Sequence, residues 1–470
     1  MPLMFVSGVF FIITMLDFLE NEITKNFPQI SEKILQGLQE PSIVSIKLNP
    51  FKIPEKHFFE KLEKVPWSKF GYYLQERPSF VNDPLWHCGA YYVQEASSMF
   101  LDFIIQEILK ITPKNFNWKI LDLCAAPGGK TWSLASNFPI DSFVLANEID
   151  PLRINILKHN VSVLGFPNIY ISNNQPNEFP KEPLFDFILV DAPCSGEGMF
   201  RKHSDSLKNN LNHEYIQICA KRQKNILHEI KDLITPGGYL VYSTCTFNLE
   251  ENEKLINEFL SQNHEFETFE LSFPKEWNIF IGRYQKSIFY RFFPGITRGE
   301  GFSITILRKK GSLSSEGFSL PLKKNKHSTN SWIKNHLKNP ENYSFFFKNQ
   351  SYFAIKKNHF AFWEFIQTEL KMIKNGILIG NQKSNDFLPE QEWVWNIDAN
   401  DEIYPKYPLD KNQAIKYLSK ETFKIEFQEI GINIMMYQGI FLGLANNIGK
   451  RWNNLLPKIY KIRKSFNGWL

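Results

Sequence analysis

Two apolar runs of the chain end alike, with a cysteine just past the last apolar residue. In Phe185-Asp-Phe-Ile-Leu-Val-Asp191-Ala-Pro-Cys194-Ser-Gly196 the run closes on an aspartate and a proline turn that carries Cys194. In Pro236-Gly-Gly-Tyr-Leu-Val-Tyr-Ser-Thr244-Cys245-Thr246 it closes on Cys245. A disulfide between them does not suit a reducing cytosol, and two thiols alone make a poor metal site. Nucleophilic chemistry remains, since a thiolate is a strong nucleophile. An electropositive neighbour would favour the thiolate, but the sequence does not identify one. Cys88 and Cys219 belong to no such setting and read as small buried apolar side chains.

A third segment reads as a cofactor loop. Ile120-Leu-Asp-Leu-Cys124-Ala125-Ala126-Pro127-Gly128-Gly129-Lys130-Thr131 is an apolar strand, a glycine turn and a helix start. Glycines let backbone approach a ligand, and a helix N-terminus favours negative charge. A phosphate-cradling loop needs a glycine five positions before its lysine, and Ala125 stands there. The dinucleotide fingerprint G-x-G-x-x-G is also absent. Glu148 follows the next strand, 20 residues after Gly128. An acid at about that distance accepts hydrogen bonds from a ribose diol in doubly wound folds. Together the loop and the acid suggest a nucleoside cofactor with no required pyrophosphate, and S-adenosylmethionine fits that description.

The elements that must position these residues alternate. Strands are expected at Lys119–Leu123, Ser142–Asn147, Ile169–Ile171, Phe185–Val190, Tyr239–Ser243 and Phe302–Leu307. Helical patterns lie between them, as at Asp150–Leu164 and Glu214–Leu233. Such alternation implies an α/β fold, a mostly parallel sheet with helices on both faces. In open sheets of this kind ligands bind beyond the strand C-termini. If their strands are neighbours, Cys194 and Cys245 therefore face one cleft. Earlier, Ile43–Leu48 reads as a short strand; later, Tyr343–Ile355 and Gly376–Ile379 read as strand-like runs.

Composition bounds the rest. The chain has 470 residues, of which 43% are apolar and 22% charged, so collagenous and wholly disordered classes are excluded. Five cysteines without a C-x-x-C pair argue against a disulfide scaffold or a cysteine zinc site. Net charge is +5, but residues 311–470 carry +8 and residues 1–310 carry −3. Six basic and no acidic residues fall between Lys450 and Leu470, which suggests a polyanionic partner. Met4–Leu16 is apolar but only 13 residues long, below the roughly 20 of a spanning helix. It lacks the positive start of a secretory signal. Met15 is the favoured natural start, with a buried or interfacial helix as the alternative. The expectation is a soluble, cytoplasmic protein.

The three chemical segments in this order resemble the Sun-type RNA cytosine-5 methyltransferases. Gly89-Ala-Tyr-Tyr-Val-Gln-Glu-Ala-Ser-Ser-Met99, Gly196-Glu-Gly-Met-Phe-Arg-Lys202, Arg291-Phe-Phe-Pro-Gly295 and Gly299-Glu-Gly-Phe302 resemble the branch of ribosomal small-subunit methyltransferase F. Tyr437–Leu444 and Asn453–Pro457 are similar to its PUA-like RNA-binding tail.

The resemblance implies a Rossmann-like S-adenosylmethionine-dependent methyltransferase sheet at 111–310. Before it would lie an uncertain extension (1–30) and an N-terminal α/β RNA-recognition region (31–110). After it would come a linker (311–330) and an α+β PUA-like domain (331–470). It further implies that Cys245 attacks carbon 6 of cytosine, that Asp191 holds the base edge, and that Cys194 assists release. Cys124, Ala125, Ala126, Pro127, Gly128, Gly129, Lys130, Glu148 and Asp191 would bind S-adenosylmethionine. The family usually places an Asp where this chain has Gln175, so weaker cofactor binding is expected, unless Asn174 substitutes. The implied partner is RNA, 16S ribosomal RNA or the small subunit, with the protein a monomer and no membrane involved. Arg77, Lys202, Arg291 and Arg298 would add phosphate contacts or stand as plain surface charges. Transfer RNA as substrate, a non-catalytic assembly factor and small-molecule methyl transfer stay open; intact Cys194, Cys245 and Asp191 weigh against the second.

Overall fold

The computed structural model describes residues 17–54, 61–202, 211–314, 331–383, 386–427 and 429–462. The apolar run Met4–Leu16 and most of the segment 311–330 lie outside them. Among the described residues, no helix is long and apolar enough to cross a membrane.

Helix α1 (Ser31–Gln39) leads into strands β1 (Val44–Leu48), β2 (Gly71–Leu74) and β3 (Tyr91–Val93), which pair antiparallel in the order β2-β1-β3. Helix α2 (Phe100–Lys110) follows and packs against the larger sheet. Lys47 on β1 is fully buried, 2.5 Å from Asp102 on α2 and 2.9 Å from Ser133 Oγ. Burial holds the Lys47 ammonium below its usual value, and Asp102 offsets part of that. Removing one partner of such a pair destabilises by about 3–5 kcal/mol. The N-terminal sheet is thus fixed to the central layer.

That layer is built from β4 (Lys119–Asp122), β5 (Phe143–Asn147), β6 (Ile169–Ser172), β7 (Phe185–Asp191) and β8 (Ile234–Thr244). Helices α3 (Gly129–Asn137), α4 (Arg153–Leu164) and α5 (His213–Ile230) lie between them. The five strands are parallel in the order β8-β7-β4-β5-β6. Chain order reverses between β4 and β7, which opens a crevice at their C-terminal ends. Side chains alternate across the sheet: Ile120, Val144, Phe187 and Leu189 enter one core, Leu121, Leu145, Ile188 and Val190 the other. Burial on both faces explains why these strands read as continuous apolar runs.

The sheet is mixed rather than parallel throughout. After α6 (Leu255–Gln262) come β9 (Phe266–Thr268), β10 (Phe280–Tyr284), β11 (Ser287–Phe292) and β12 (Phe302–Lys309). Strand β12 pairs antiparallel with β8, β11 with β12 and β10 with β11, while β9 also pairs with β12; the short β10–β11 link can only join antiparallel strands.

Residues 331–462 carry two sheets and also add a strand to the sheet that contains β6. The run Tyr343–Ile355 is a hairpin of β13 (Tyr343–Lys348) and β14 (Ser351–Lys356). Its turn residues Asn349 and Gln350 both take positive φ, as a two-residue hairpin loop requires. Helix α7 (Phe360–Glu369) packs Phe362 onto Phe143, ring centroids 4.9 Å apart, covering the central sheet. Strand β15 (Met372–Lys374) pairs with the free edge of β6, while β16 (Ile377–Lys383) and β17 (Asp386–Pro389) join the hairpin sheet. A last sheet holds β18 (Lys406–Pro408), β19 (Gly431–Tyr437), β20 (Ile440–Asn447) and β21 (Trp452–Asn454).

Candidate active site

The glycine loop leaves β4 and turns at once into α3. Gly128 sits at φ 113°, a left-handed conformation that favours glycine. A Cβ at Gly129 would come within 3.0 Å of the Tyr92 ring. Helix α4 holds the loop from outside: Arg153 Nη2 donates to Ala126 O at 2.5 Å, and Asn160 Nδ2 to Pro127 O at 2.7 Å. Ala125 N–H donates to Asn147 O at 2.8 Å, joining the loop to the end of β5.

Glu148 follows that strand end and is 3% exposed. Its Oε1 accepts the Asp150 N–H at 2.9 Å. Its Oε2 accepts no hydrogen bond, with the Arg153 guanidinium 3.5 Å away. Glu148 lines a cavity of about 770 Å³ that also reaches Cys124, Gln175, Asp191, Cys194 and Cys245. A buried carboxylate oxygen with an open valence at a cavity wall fits a ribose diol.

Gln175 lines the cavity, and its N–H donates to Glu178 Oε2 at 2.7 Å. Asn174 is engaged elsewhere: Oδ1 accepts the Lys371 N–H at 3.0 Å and Nδ2 donates to Glu178 at 3.2 Å. Asn174 thus holds the chain just before β15, and it is Gln175 that lines the cavity.

Strands β7 and β8 are parallel neighbours with Asp191 beside Ser243. This puts the two cysteines in contact, Cys194 Sγ 3.2 Å from Cys245 Sγ. Both remain free thiols. The Cys245 N–H also donates to Cys194 Sγ at 3.3 Å. The contact with Cys245, then burial, push the Cys194 thiol well above its usual value. Asp191 accepts from Ser243 Oγ at 2.7 Å through Oδ1 and from Lys130 Nζ at 2.8 Å through Oδ2.

Several residues in or beside the site are marked by no motif in the sequence. Asp122 ends β4 with Oδ2 accepting from Thr131 Oγ1 at 2.6 Å and Oδ1 unpaired. Burial pushes its carboxyl up to about 7. Arg222, Asn225 and Glu229 line the cavity from α5. An acid closing an apolar strand hinted at the first; helix periodicity hides the others.

Arg291 is not a surface charge. It is fully buried, pairs with Glu253 and donates to Phe247 O at 3.0 Å and Ser303 Oγ at 3.1 Å. It braces the segment after Cys245 and cannot reach a phosphate. Arg298 lies over the Tyr73 ring at 4.0 Å and pairs with Glu63 at 2.5 Å. Lys202 stands 4.0 Å from buried Glu300, and Arg77 lies 5.6 Å from the Phe80 ring centroid. Cys88 and Cys219 are buried.

Three family models match consecutive parts of the chain. The N-terminal domain of 16S rRNA methyltransferase RsmF matches residues 17–96, the 16S rRNA methyltransferase RsmB/F model residues 108–308, and the methyltransferase RsmF PUA domain residues 404–461. Ribosomal RNA small subunit methyltransferase F of Vibrio vulnificus (strain YJ016) is 28% identical over 449 residues, covering 89% of this chain and 91% of that protein. The protein of that name from Shewanella loihica is 28% identical over 469 residues, covering 93% of each. Among solved structures, a methyltransferase homolog protein from Pyrococcus horikoshii is 26% identical with a TM-score of 0.52, covering 62% of this chain and 93% of that one. NSun6 from Pyrococcus horikoshii with SFG shares the fold at 21% identity and TM-score 0.51, covering 63% and 98%.

Proposed function

The chain belongs to the RsmB/F family of methyltransferases, and on that premise we propose that it methylates carbon 5 of a cytosine in RNA, with 16S ribosomal RNA as the substrate. The observation that carries the reading is the contact of Cys194 with Cys245 in the cavity that Glu148 also lines. Small-molecule methyl transfer has no need of two touching thiols.

S-adenosylmethionine is the methyl donor in this reading. The backbone from Cys124 to Lys130 would receive it, with Glu148 Oε2 accepting from the ribose and Gln175 beside the adenine. Bound there, it supplies an electrophilic methyl group. An unactivated pyrimidine carbon is a poor methyl acceptor, so covalent addition splits one barrier into two.

The Cys245 thiolate forms a bond to carbon 6, and the electron pair of the carbon 5–carbon 6 double bond makes carbon 5 nucleophilic. Asp191, steadied by Ser243 and Lys130, holds the base edge near ring nitrogen 3. After methyl transfer, loss of the carbon 5 proton and breakage of the sulfur–carbon 6 bond return Cys245 as a thiolate. Cys194, in contact with it, assists that release.

The base must leave its stack to reach thiols at the foot of a cleft. The PUA-like region adds phosphate contacts: Lys450, Arg451, Lys458 and Lys461 are all exposed there. The reading is of a cytoplasmic monomer with boundaries near residues 30, 110, 310 and 330.

The test is incubation with tritiated S-adenosylmethionine and separate pools of 16S, 23S and transfer RNA, free and as subunits, followed by digestion to nucleosides. Label in 5-methylcytidine from 16S RNA is expected. Label from transfer RNA alone would keep the chemistry and change the substrate. Label in none of the pools would overturn the reading.

A further inference from the structure

Shortly after Cys245 the chain makes one π-helical turn, Glu250–Lys254, and three consecutive side chains within it are buried. Such turns are rare and gather at functional sites. Each of the three grips a different part of the site. Asn252 Oδ1 accepts from Thr244 Oγ1 at 2.7 Å, next to Cys245. Glu253 pairs with Arg291. Glu251 reaches across to the other cysteine loop: Oε2 accepts the Ser195 N–H at 3.1 Å and Gln223 Nε2 at 2.6 Å, and Oε1 accepts Asn248 Nδ2 at 2.7 Å.

Gln223 Nε2 also donates to Pro193 O at 3.0 Å. Glu251 and Gln223 thus hold the backbone on both sides of Cys194. The amide orientations are fixed by backbone partners, Pro193 O for Gln223 and the Glu251 N–H for Asn248. Every side-chain contact of Glu251 is therefore with a donor, which matches an ionised carboxylate.

We propose that Glu251 is a positioning residue that decides which of the two touching thiols ionises. It clamps the Cys194 loop against its own carboxylate and leaves Cys245 as the nucleophile. Burial raises the Glu251 carboxyl, and the donors from Ser195, Asn248 and Gln223 oppose that rise. The proposal rests on the reading above, in which these two cysteines are the reacting pair. Two like charges within a few ångströms disfavour each other. A carboxylate bonded to the peptide that follows Cys194 bears on that sulfur. The upward push on Cys194 includes Glu251 after Cys245 and burial. The other groups facing Cys194 are Tyr242 from β8, Tyr215 and Arg222 from α5, Asp191 with its Lys130, and Glu197 behind the loop. None of these is bonded to the backbone on either side of Cys194 as Glu251 and its neutral partner Gln223 are.

The experiment is alkylation of the full chain with iodoacetamide at graded pH, with each cysteine followed by peptide mass. In the unmodified protein Cys194 stays unreactive at pH 8. Glu251→Gln moves the Cys194 profile to lower pH, and each unit of that movement raises its rate at pH 8 about tenfold. Glu197→Gln disturbs the same Asn248 network without touching the Cys194 peptide, so it moves the profile less. Glu251→Asp keeps the charge and keeps Cys194 unreactive at pH 8; reactivity there overturns the proposal even if Glu251→Gln does not fold. An unmoved Cys194 profile in folded Glu251→Gln, or equal movement in Glu197→Gln, overturns it as well. Neither RNA nor methyl donor is present, so a failure of the methylation reading leaves this outcome separately readable.

Discussion

Lys130 Nζ stands 2.8 Å from Asp191 Oδ2, a bond that ties the glycine loop to the end of β7 across the point where chain order reverses. Burial alone would lower the Lys130 ammonium, but Asp191 outweighs it and holds it above its usual value. One cation therefore braces both the proposed donor loop and the carboxylate that would face the base. Lys130→Met leaves Asp191 with Ser243 alone. Methylation should fall about a hundredfold in kcat, the scale of losing one preorganised charge partner, while RNA affinity holds. Steady-state kinetics beside filter binding reads both, and a near-normal kcat would remove Lys130 from the machinery.

The contact between the cysteines makes their substitutions asymmetric. Cys245→Ala abolishes turnover and leaves RNA binding nearly intact. Cys194→Ala leaves the attack in place and slows release, so a covalent RNA–protein species builds up on denaturing gels. Full activity in Cys245→Ala would show that the nucleophile is misassigned.

Glu148 has one carboxylate oxygen with no hydrogen bond in the cavity wall. Glu148→Gln exchanges a charge-assisted acceptor for a neutral amide, which should weaken S-adenosylmethionine binding about tenfold, or about 1.4 kcal/mol. Gln175→Asp restores charge on the opposite side and should tighten binding. Titration calorimetry follows both, and unchanged affinities would move the donor elsewhere in the cavity.

Asp122 gives the fold a pH dependence of defined sign. Its carboxyl lies near 7 when buried, against 3.8 for the unperturbed group. Between those values the folded state holds a proton that the unfolded state has released. The Asp122 contribution to stability therefore falls as pH rises from about 4 to about 7 and levels off above, while buried His159, His336 and His359, lowered to about 4, contribute a rise over much of the same interval. Asp122→Asn should remove that fall, making the slope of stability against pH more positive across the interval. Urea denaturation at half-unit pH steps measures it; an unchanged slope in the variant would assign the dependence to another group.

Lys458 and Lys461 are exposed, and both lower the ammonium of neighbouring Lys420, after the effect of its burial. A cluster of this kind suits a phosphate backbone. Replacing both with Gln should reduce the slope of log affinity against log salt by about 0.7–0.9 for each phosphate left without its cation. Binding to RNA measured over a salt series decides it, and an unchanged slope would place the RNA on another face.

The catalytic layer was legible because its strands are buried on both faces, so Phe185–Val190 and Tyr239–Ser243 read as mostly apolar runs. Strand neighbours were not given by the runs themselves, and the meeting of Cys194 with Cys245 depended on β7 and β8 being adjacent. Arg291 misled because a guanidinium in the sequence looks the same whether it meets solvent or Glu253. Asn174 and Lys371 were invisible as a pair, being 197 positions apart. The grip of Glu251 on the Cys194 loop was hidden likewise, because a π-turn leaves no periodic trace in so short a stretch.

Strand β15 and helix α7 reach the catalytic sheet from beyond residue 330, which bears on how the protein is made. When the ribosome has finished β12, the β6 edge still lacks β15, and Phe143, stacked on Tyr170, still lacks its cover by Phe362. Both stay so while more than fifty further residues are added. An open edge beside apolar surface is a template for wrong partners. Synthesis of the last third therefore closes the enzyme as well as appending a tail to it, and a nascent chain stalled before Met372 would expose the very edge a chaperone must shield.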